Sequence, residues 1–351
     1  MVGGLAHEPG GETIAATATH RGHRPLTGRS VPVVHTSHHS HLRGLAQVSC
    51  AGVLWGTGGM AVQLLRQQDP LSPVAIIVWR AVIGAVVVLV LLLALRRVGD
   101  LVGLVRRHPW RLLAVGTGTA AFQSFFFLAV PLVGVAVATV VGLGLAPVLL
   151  TVVDAVREHR RPGTGQIAVL VTALTGLAMV CTVAGEASTG PRPLTGVLLA
   201  AASATTYALT TAAAGGRISH GTSPVVLTGA MALVGVLVLT PALAFVDGPL
   251  TTRDPAAVAW LLYLGVFTLV VAYVLLYSAL RVTTASTAVT ATLVEPATAT
   301  VAAAVVLHEP LGVVGAIGVV LVLAGVAGLG RPAAAAGPVV TPPSSTAVSR
   351  G

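Results

Sequence analysis

Ten apolar stretches, each near twenty residues long, succeed one another along this chain with only short polar connections between them. They run over 44–65, 72–95, 110–130, 134–153, 164–184, 193–214, 222–246, 257–280, 283–307 and 310–330. A helix rises 1.5 Å per residue, so about 20 apolar residues cross a hydrocarbon core of roughly 30 Å. The runs are continuous rather than alternating, which excludes a β-barrel. Only 9% of residues are charged and 55% are hydrophobic. A soluble domain carries about 25% charged residues, so a water-facing surface cannot be built here. Intrinsic disorder is excluded for the opposite reason, an excess of apolar material. The expectation is an all-α integral membrane protein of ten transmembrane helices.

The net charge of +9 does not point to nucleic acid. All 20 basic residues are Arg, and nearly all lie between apolar segments. With a cytoplasmic N-terminus, 16 of them fall inside and only Arg66, Arg192 and Arg253 outside, with Arg80 left within a span. Such a bias orients a multi-pass protein with both termini in the cytoplasm, as expected for the plasma (inner) membrane. Residues 1–43 hold seven of the 11 His, among them His35, His38, His39 and His41, and read as a disordered cytoplasmic tail. Metal binding by that tail is the competing reading, although no second ligand type is spaced with the histidines. Residues 331–351 read as a second tail. Cys50 and Cys181 both lie in apolar runs and read as small buried hydrophobes.

The chain repeats internally. Pro147, His159 and Gly176 recur as Pro296, His308 and Gly325, at an offset of 149. Ser72-Pro73 and Gly84 recur as Ser223-Pro224 and Gly235, at 151. The halves are 44–190 and 191–330, with five spans each. Five is odd, so the second half enters the membrane from the opposite side, giving two inverted five-helix repeats. The repeat also explains why Arg160 is replaced by Glu309, since only the first of these turns lies inside. Two similar halves can exchange packing arrangements and open a shared cavity to either side, which favours a carrier over a static scaffold.

The stretch TASTAVTATLVEPATATVAAAVVLHEPLGVVGAIGVVLVLAGVAGL at 284–329, with Glu295-Pro296, Glu309, Gly315 and Gly325, resembles the EamA family of the drug/metabolite transporter superfamily. Leu54-Trp55-Gly56, Arg80 and Pro147 extend the resemblance into the first half, so that it covers about 44–330. Arg160 departs from the turn Glu of that family, and Tyr207 stands where Trp is frequent. The resemblance implies a ten-span inner-membrane transporter of small metabolites or drug-like compounds, with export the favoured direction.

Arg80 and Glu295 are the two clearest charges within spans. Arg80 lies eight residues into its span and Glu295 twelve residues into its own. At 1.5 Å per residue they reach similar depth, about 12 Å from the outer boundary. A charge at the bilayer centre costs roughly 2.5–3.5 kcal/mol on insertion scales, so neither is expected to face lipid. They are candidates for a central cavity, either paired or binding a charged substrate group. A fixed structural pair, or Arg80 snorkelling to the headgroups, competes. Trp55, Gln123, Ser124, Tyr207, Tyr273 and Tyr277 are further cavity candidates, against helix–helix hydrogen bonding or an aromatic belt. Pro147 and Pro296 are hinge candidates, because each removes a backbone donor in mid-span. Glu309 is expected to cap the tenth helix.

No phosphate-binding loop, HExxH pair or dinucleotide fingerprint appears, so no catalytic residue, cofactor or resident metal is expected. The expected function is a secondary transporter working by alternating access on a small-molecule substrate in the lipid bilayer. Proton coupling through Glu295, exchange and uncoupled transport all remain open, as does a homodimer. A non-transporting scaffold and a lipid-modifying enzyme are the alternative classes.

Overall fold

The computed structural model describes residues 38–157, 159, 161–183, 192–215, 221–245, 248–306 and 312–329. Glu309, Arg160, His308, most of the His-rich tail and the tail 331–351 lie outside these residues. Every regular element among them is helical. In chain order these are α1 (His38–Gln68), α2 (Pro73–Ala94), α3 (Val98–Arg107), α4 (Pro109–Arg157), α5 (Thr164–Val183) and α6 (Pro193–Gly215). There follow α7 (Pro224–Leu239), running into a 3-10 turn at Thr240–Phe245, and α8 (Pro255–Tyr263). A π-helical segment (Leu264–Val271) joins α8 to α9 (Ala272–Ala279), and α10 (Ala285–Ala291), α11 (Val294–Val306) and α12 (Val313–Gly328) complete the chain.

Among the described residues, eight helices are long and apolar enough to cross a membrane. Only about a third of each such window is buried inside the protein. Large apolar side chains such as Leu198, Leu237 and Val305 are more than 60% exposed. A surface of this kind is unfavourable in water and natural in lipid, so the chain is a multi-pass membrane protein. The expected third and tenth spans are not among the eight. The third corresponds to the first arm of α4. The tenth is represented by α12, an apolar helix of 16 residues.

Three local features differ from the sequence reading. First, helix α1 begins at His38, ahead of the apolar run, and the His41 ring sits 3.1 Å from the Leu329 carbonyl. Second, residues 98–107 form the short helix α3 rather than a loop. Leu101 and Leu104 are buried, and Asp100 at the first turn with Arg106 and Arg107 at the last suit the helix dipole. Third, the expected turn at Pro131-Leu132-Val133 leaves no gap in the helical backbone of α4. The chain reverses there all the same. A Cβ at Gly142 would stand 3.1 Å from the Phe126 ring, whereas a straight helix would separate these positions by about 24 Å.

The arms of α4 embrace α6. Gly196 at the start of α6 meets Val133, Ser203 Oγ donates to the Phe122 carbonyl at 2.9 Å, and Gly118 meets Thr210 near the end of α6. The first arm is therefore antiparallel to α6. In the other half, α1 packs on the helices of residues 264–299: Gly52 faces the Thr292 carbonyl and Gly56 the Glu295 carbonyl. The first helix of each repeat thus packs against the third and fourth segments of the other.

Equivalent helices also run antiparallel to one another. Ser72 N–H, at the start of α2, donates to the Pro249 carbonyl beyond the end of α7, while Val88 and Leu92 meet Gly229 early in α7. Along α5 and α12, Val169 meets Gly328, Ala173 meets Gly325 and Val180 meets Gly318. Ser72 and Ser223 are both N-caps followed by Pro at the first helical position, so the sequence repeat is also a repeat of local structure. Small residues let these backbones approach closely enough for dispersion to act without a hydrophobic drive.

Gly56 is one such contact with no slack. A Cβ there would stand 2.5 Å from the Glu295 carbonyl oxygen and 2.7 Å from the Thr298 Cβ. Gly56→Ala is expected to destabilise the fold by about 1–3 kcal/mol. Gly59, on the same helix, has nothing within 4 Å of the added methyl. Gly59→Ala is expected to be neutral or to stabilise by up to about 1 kcal/mol. Thermal denaturation of both purified variants in detergent checks the contrast; equal melting temperatures would contradict it.

Candidate functional site

Two interruptions of helical regularity build the site. The first lies between α10 and α11, at Thr292-Leu293. Pro296 has no N–H to offer the carbonyl four residues back, which is that of Thr292. The neighbouring Glu295 N–H donates to it instead, at 2.8 Å. The break therefore sits one turn before Pro296 and holds Glu295 at the start of the second segment. Pro147, the other hinge candidate, lies inside α4 with no gap beside it.

The second interruption is the π segment. Its Thr268 carbonyl accepts two side-chain hydrogen bonds, from Trp55 Nε1 and from an Arg80 Nη2, both at 2.9 Å. Gly265, in the same segment, lies against Ile83 and the Arg80 carbonyl, where a Cβ would clash. That close approach holds α2 at the depth where the guanidinium reaches Thr268.

A cavity of about 630 Å³, counted with its open mouth, lies between these elements. Helix α2 contributes Arg80, the first arm of α4 contributes Thr119 and Gln123, α7 contributes Thr228 and Met231, and α9 contributes Tyr273 and Tyr277. Two helices of each sequence half thus form its wall. Arg80 is the one charged side chain among the lining residues. Four of the eight cavity candidates line the wall: Arg80, Gln123, Tyr273 and Tyr277.

The other four sit behind it. Trp55 packs edge-on against Tyr273, with ring centroids 5.3 Å apart. Ser124 donates to its own helix, at the Ala120 carbonyl, 2.9 Å away. Tyr207 stacks on Phe122 at 4.9 Å, and its hydroxyl is 3.3 Å from Thr292 Oγ1. Glu295 is half-buried at the helix break. It lies within electrostatic reach of Arg80 and Tyr273, but no ion pair between Glu295 and Arg80 forms. Sequence reasoning missed Thr119, Thr228, Met231 and the Thr268 carbonyl. Gly235 was visible as the repeat partner of Gly84, and it lines the cavity with nothing within 4 Å of an added Cβ. Cys50, expected to be buried, is exposed on α1; Cys181 is buried.

The two aromatic pairs are related by the repeat. Phe122 and Tyr273 are 151 residues apart, the offset of Ser72 and Ser223, and Trp55 and Tyr207 are 152 apart. Each pair joins the first helix of one half to the third segment of the other. The charges break this symmetry. The partner of Arg80 at offset 151 is Met231, and the partner of Glu295 at 149 is Ala146.

Comparison with known proteins agrees with this architecture. The EamA-like transporter family matches residues 42–182 and again 194–331. The chain belongs to this family and contains two copies of its domain, which points to a membrane transporter in general class. It is 28% identical over 280 residues to the uncharacterized transporter YwfM of Bacillus subtilis strain 168, covering 79% of this chain and 90% of that protein. A solved crystal structure shares the fold, with a TM-score of 0.67 at 21% identity, over 83% of this chain and 96% of the other.

The Trp55–Thr268 bond can be tested apart from transport. Trp55→Phe removes the indole donor while leaving an aromatic ring against Tyr273, and should cost about 1 kcal/mol. Trp55→Ala also loses the packing and should cost about 3–5 kcal/mol. Melting curves that fail to rank the two variants in this order would exclude the bond as a support of the π segment.

Proposed function

We propose that this protein is a secondary transporter that exports small metabolites or drug-like compounds across the plasma membrane by alternating access. The observation that carries the reading is a cavity walled by two helices from each of two related halves. Ten crossings are assigned, with α4 counted as two and α12 as the last. The Arg distribution supports a cytoplasmic position for both termini, with the halves in opposite orientation. The antiparallel course of α2 with α7 and of α5 with α12 supports that inversion. Export is the direction the family resemblance favours.

In this mechanism the two aromatic pairs exchange roles. One pair separates as the cavity opens to its side while the other stays closed. The break before Pro296 is where α11 pivots, because the bond from Glu295 N–H to the Thr292 carbonyl already stands outside the regular ladder. Glu295 can carry a proton between the two states, giving coupling to the proton gradient. The eight cavity candidates are proposed as substrate-contacting or gating groups, with Pro147 a passive bend. The operating unit is one chain, or two in a homodimer.

Reconstitution into proteoliposomes tests the reading. The wild-type protein should show saturable flux for part of a substrate panel, and a pH gradient should drive accumulation. Glu295→Gln should keep substrate exchange between the two sides and lose gradient-driven accumulation. Accumulation unchanged in that variant would remove Glu295 from coupling, and absence of any saturable flux in the wild type would remove the carrier reading. Tags placed at the two ends of the chain should label from the same face.

A further inference from the structure

We infer that the cavity between the two halves binds a small organic monocarboxylate, its oxygens held by Arg80 and Gln123 and its apolar body against Met231, Leu239 and Leu269. The inference rests on the carrier reading for its purpose, although binding can be measured without transport. Its starting point is an excess of donors. Arg80 commits an Nη2 to the Thr268 carbonyl, yet its Nε is buried with no partner. A guanidinium has five N–H donors and no acceptor, and a buried donor left unpaired is unfavourable. The Gln123 amide and the Tyr273 and Tyr277 hydroxyls, all on the same wall, make no hydrogen bond to described residues.

The neighbouring threonines are already committed. Thr119 donates to the Val115 carbonyl and Thr228 to that of Pro224, so the donors left for a ligand are those of Arg80, Gln123 and the two tyrosines. A ligand complementary to this wall is acceptor-rich at one end and carries a single negative charge. A carboxylate meets both requirements and matches the planar guanidinium. A phosphate dianion would bring a second charge with no cation in the lining to meet it. An amine would set one cation beside another. Glu295 does not supply the missing anion, because it is not in the lining and forms no ion pair with Arg80. The remaining wall, with Ile77, Met231, Leu239 and Leu269, is apolar and suits the hydrocarbon part of such a ligand.

The experiment measures binding of phenylacetate, phenylacetamide and phenethylamine to the purified full-length protein in detergent by calorimetry. The carboxylate should bind about tenfold or more tightly than its neutral amide, and the amine weakest of all. Arg80→Gln should reduce phenylacetate affinity by about tenfold or more and leave the amide nearly unchanged. Gly235→Leu fills the cavity from a position with open space around it, and should weaken all binding without loss of fold. Equal affinity for carboxylate and amide, preference for the amine, or no binding of any of the three overturns the inference. Should Arg80→Gln not fold, phenylacetate binding undiminished in Gly235→Leu overturns it instead. Flux in proteoliposomes separates the two claims. Carboxylate-selective binding without flux sinks the carrier reading and leaves the site. Flux of other compounds with no carboxylate preference sinks the site and leaves the carrier.

Discussion

A backbone carbonyl inside hydrocarbon has no water to turn to, so each departure from helical regularity must bring its own donor. Two such departures organise this molecule. At Pro296 the donor comes from the next residue back, and the repair places Glu295 at the edge of a broken helix. At the π segment the Thr268 carbonyl takes donors from α1 and α2 together, through Trp55 and Arg80. Irregular backbone persists at membrane depth where it is packed by protein or lines a cavity. Here it does both, and the cost of the irregularity is met by the side chains that form the site.

The surrounding scaffold is built from absence of bulk. Gly52 and Gly56 bring α1 against the broken segment, and Gly176, Gly318 and Gly325 bring α5 against α12. Lipid tails solvate apolar side chains as well as other side chains do, so such contacts rely on close approach. The seam between the halves is different. There the wall carries Gln123, Thr119, Thr228 and two tyrosines around one arginine, and a void remains. Close packing outside and open space inside are what two halves need if they are to shift as bodies.

Much of this could be read from the chain because the signals were local and strong. Apolar runs without charge mark helices whatever their neighbours, and Ser-Pro pairs mark where two of them start. Arg80 and Glu295 stood out because a charge in a span is costly. The side-chain placements were harder. Gln123 and Ser124 are adjacent, and spacing alone does not say which of them meets the cavity; Gln123 does, while the Ser124 hydroxyl bonds back to the Ala120 carbonyl. Tyr207 offered the same polar tip as Tyr273, but Phe122 claims its ring. Cys50 sat in an apolar run that faces outward as well as inward. The π segment left no trace in composition, because Leu-Gly-Val-Phe-Thr-Leu-Val-Val reads as ordinary helix. Its effect is carried by a carbonyl, which no side-chain pattern displays. The short helix α3 was hidden by its charges, which mimic a loop.

The mismatch between matched frames and unmatched charges has a consequence for energetics. Arginine faces methionine across the pseudo-dyad, and glutamate faces alanine. A frame that looks alike from either end therefore carries an electrostatic polarity along its axis. If it works by alternating access, its two orientations would differ in free energy even when empty, giving the resting molecule a directional bias. A net cargo charge that cancels the arginine would flatten that difference, making the loaded molecule closer to a level rocker than the vacant one.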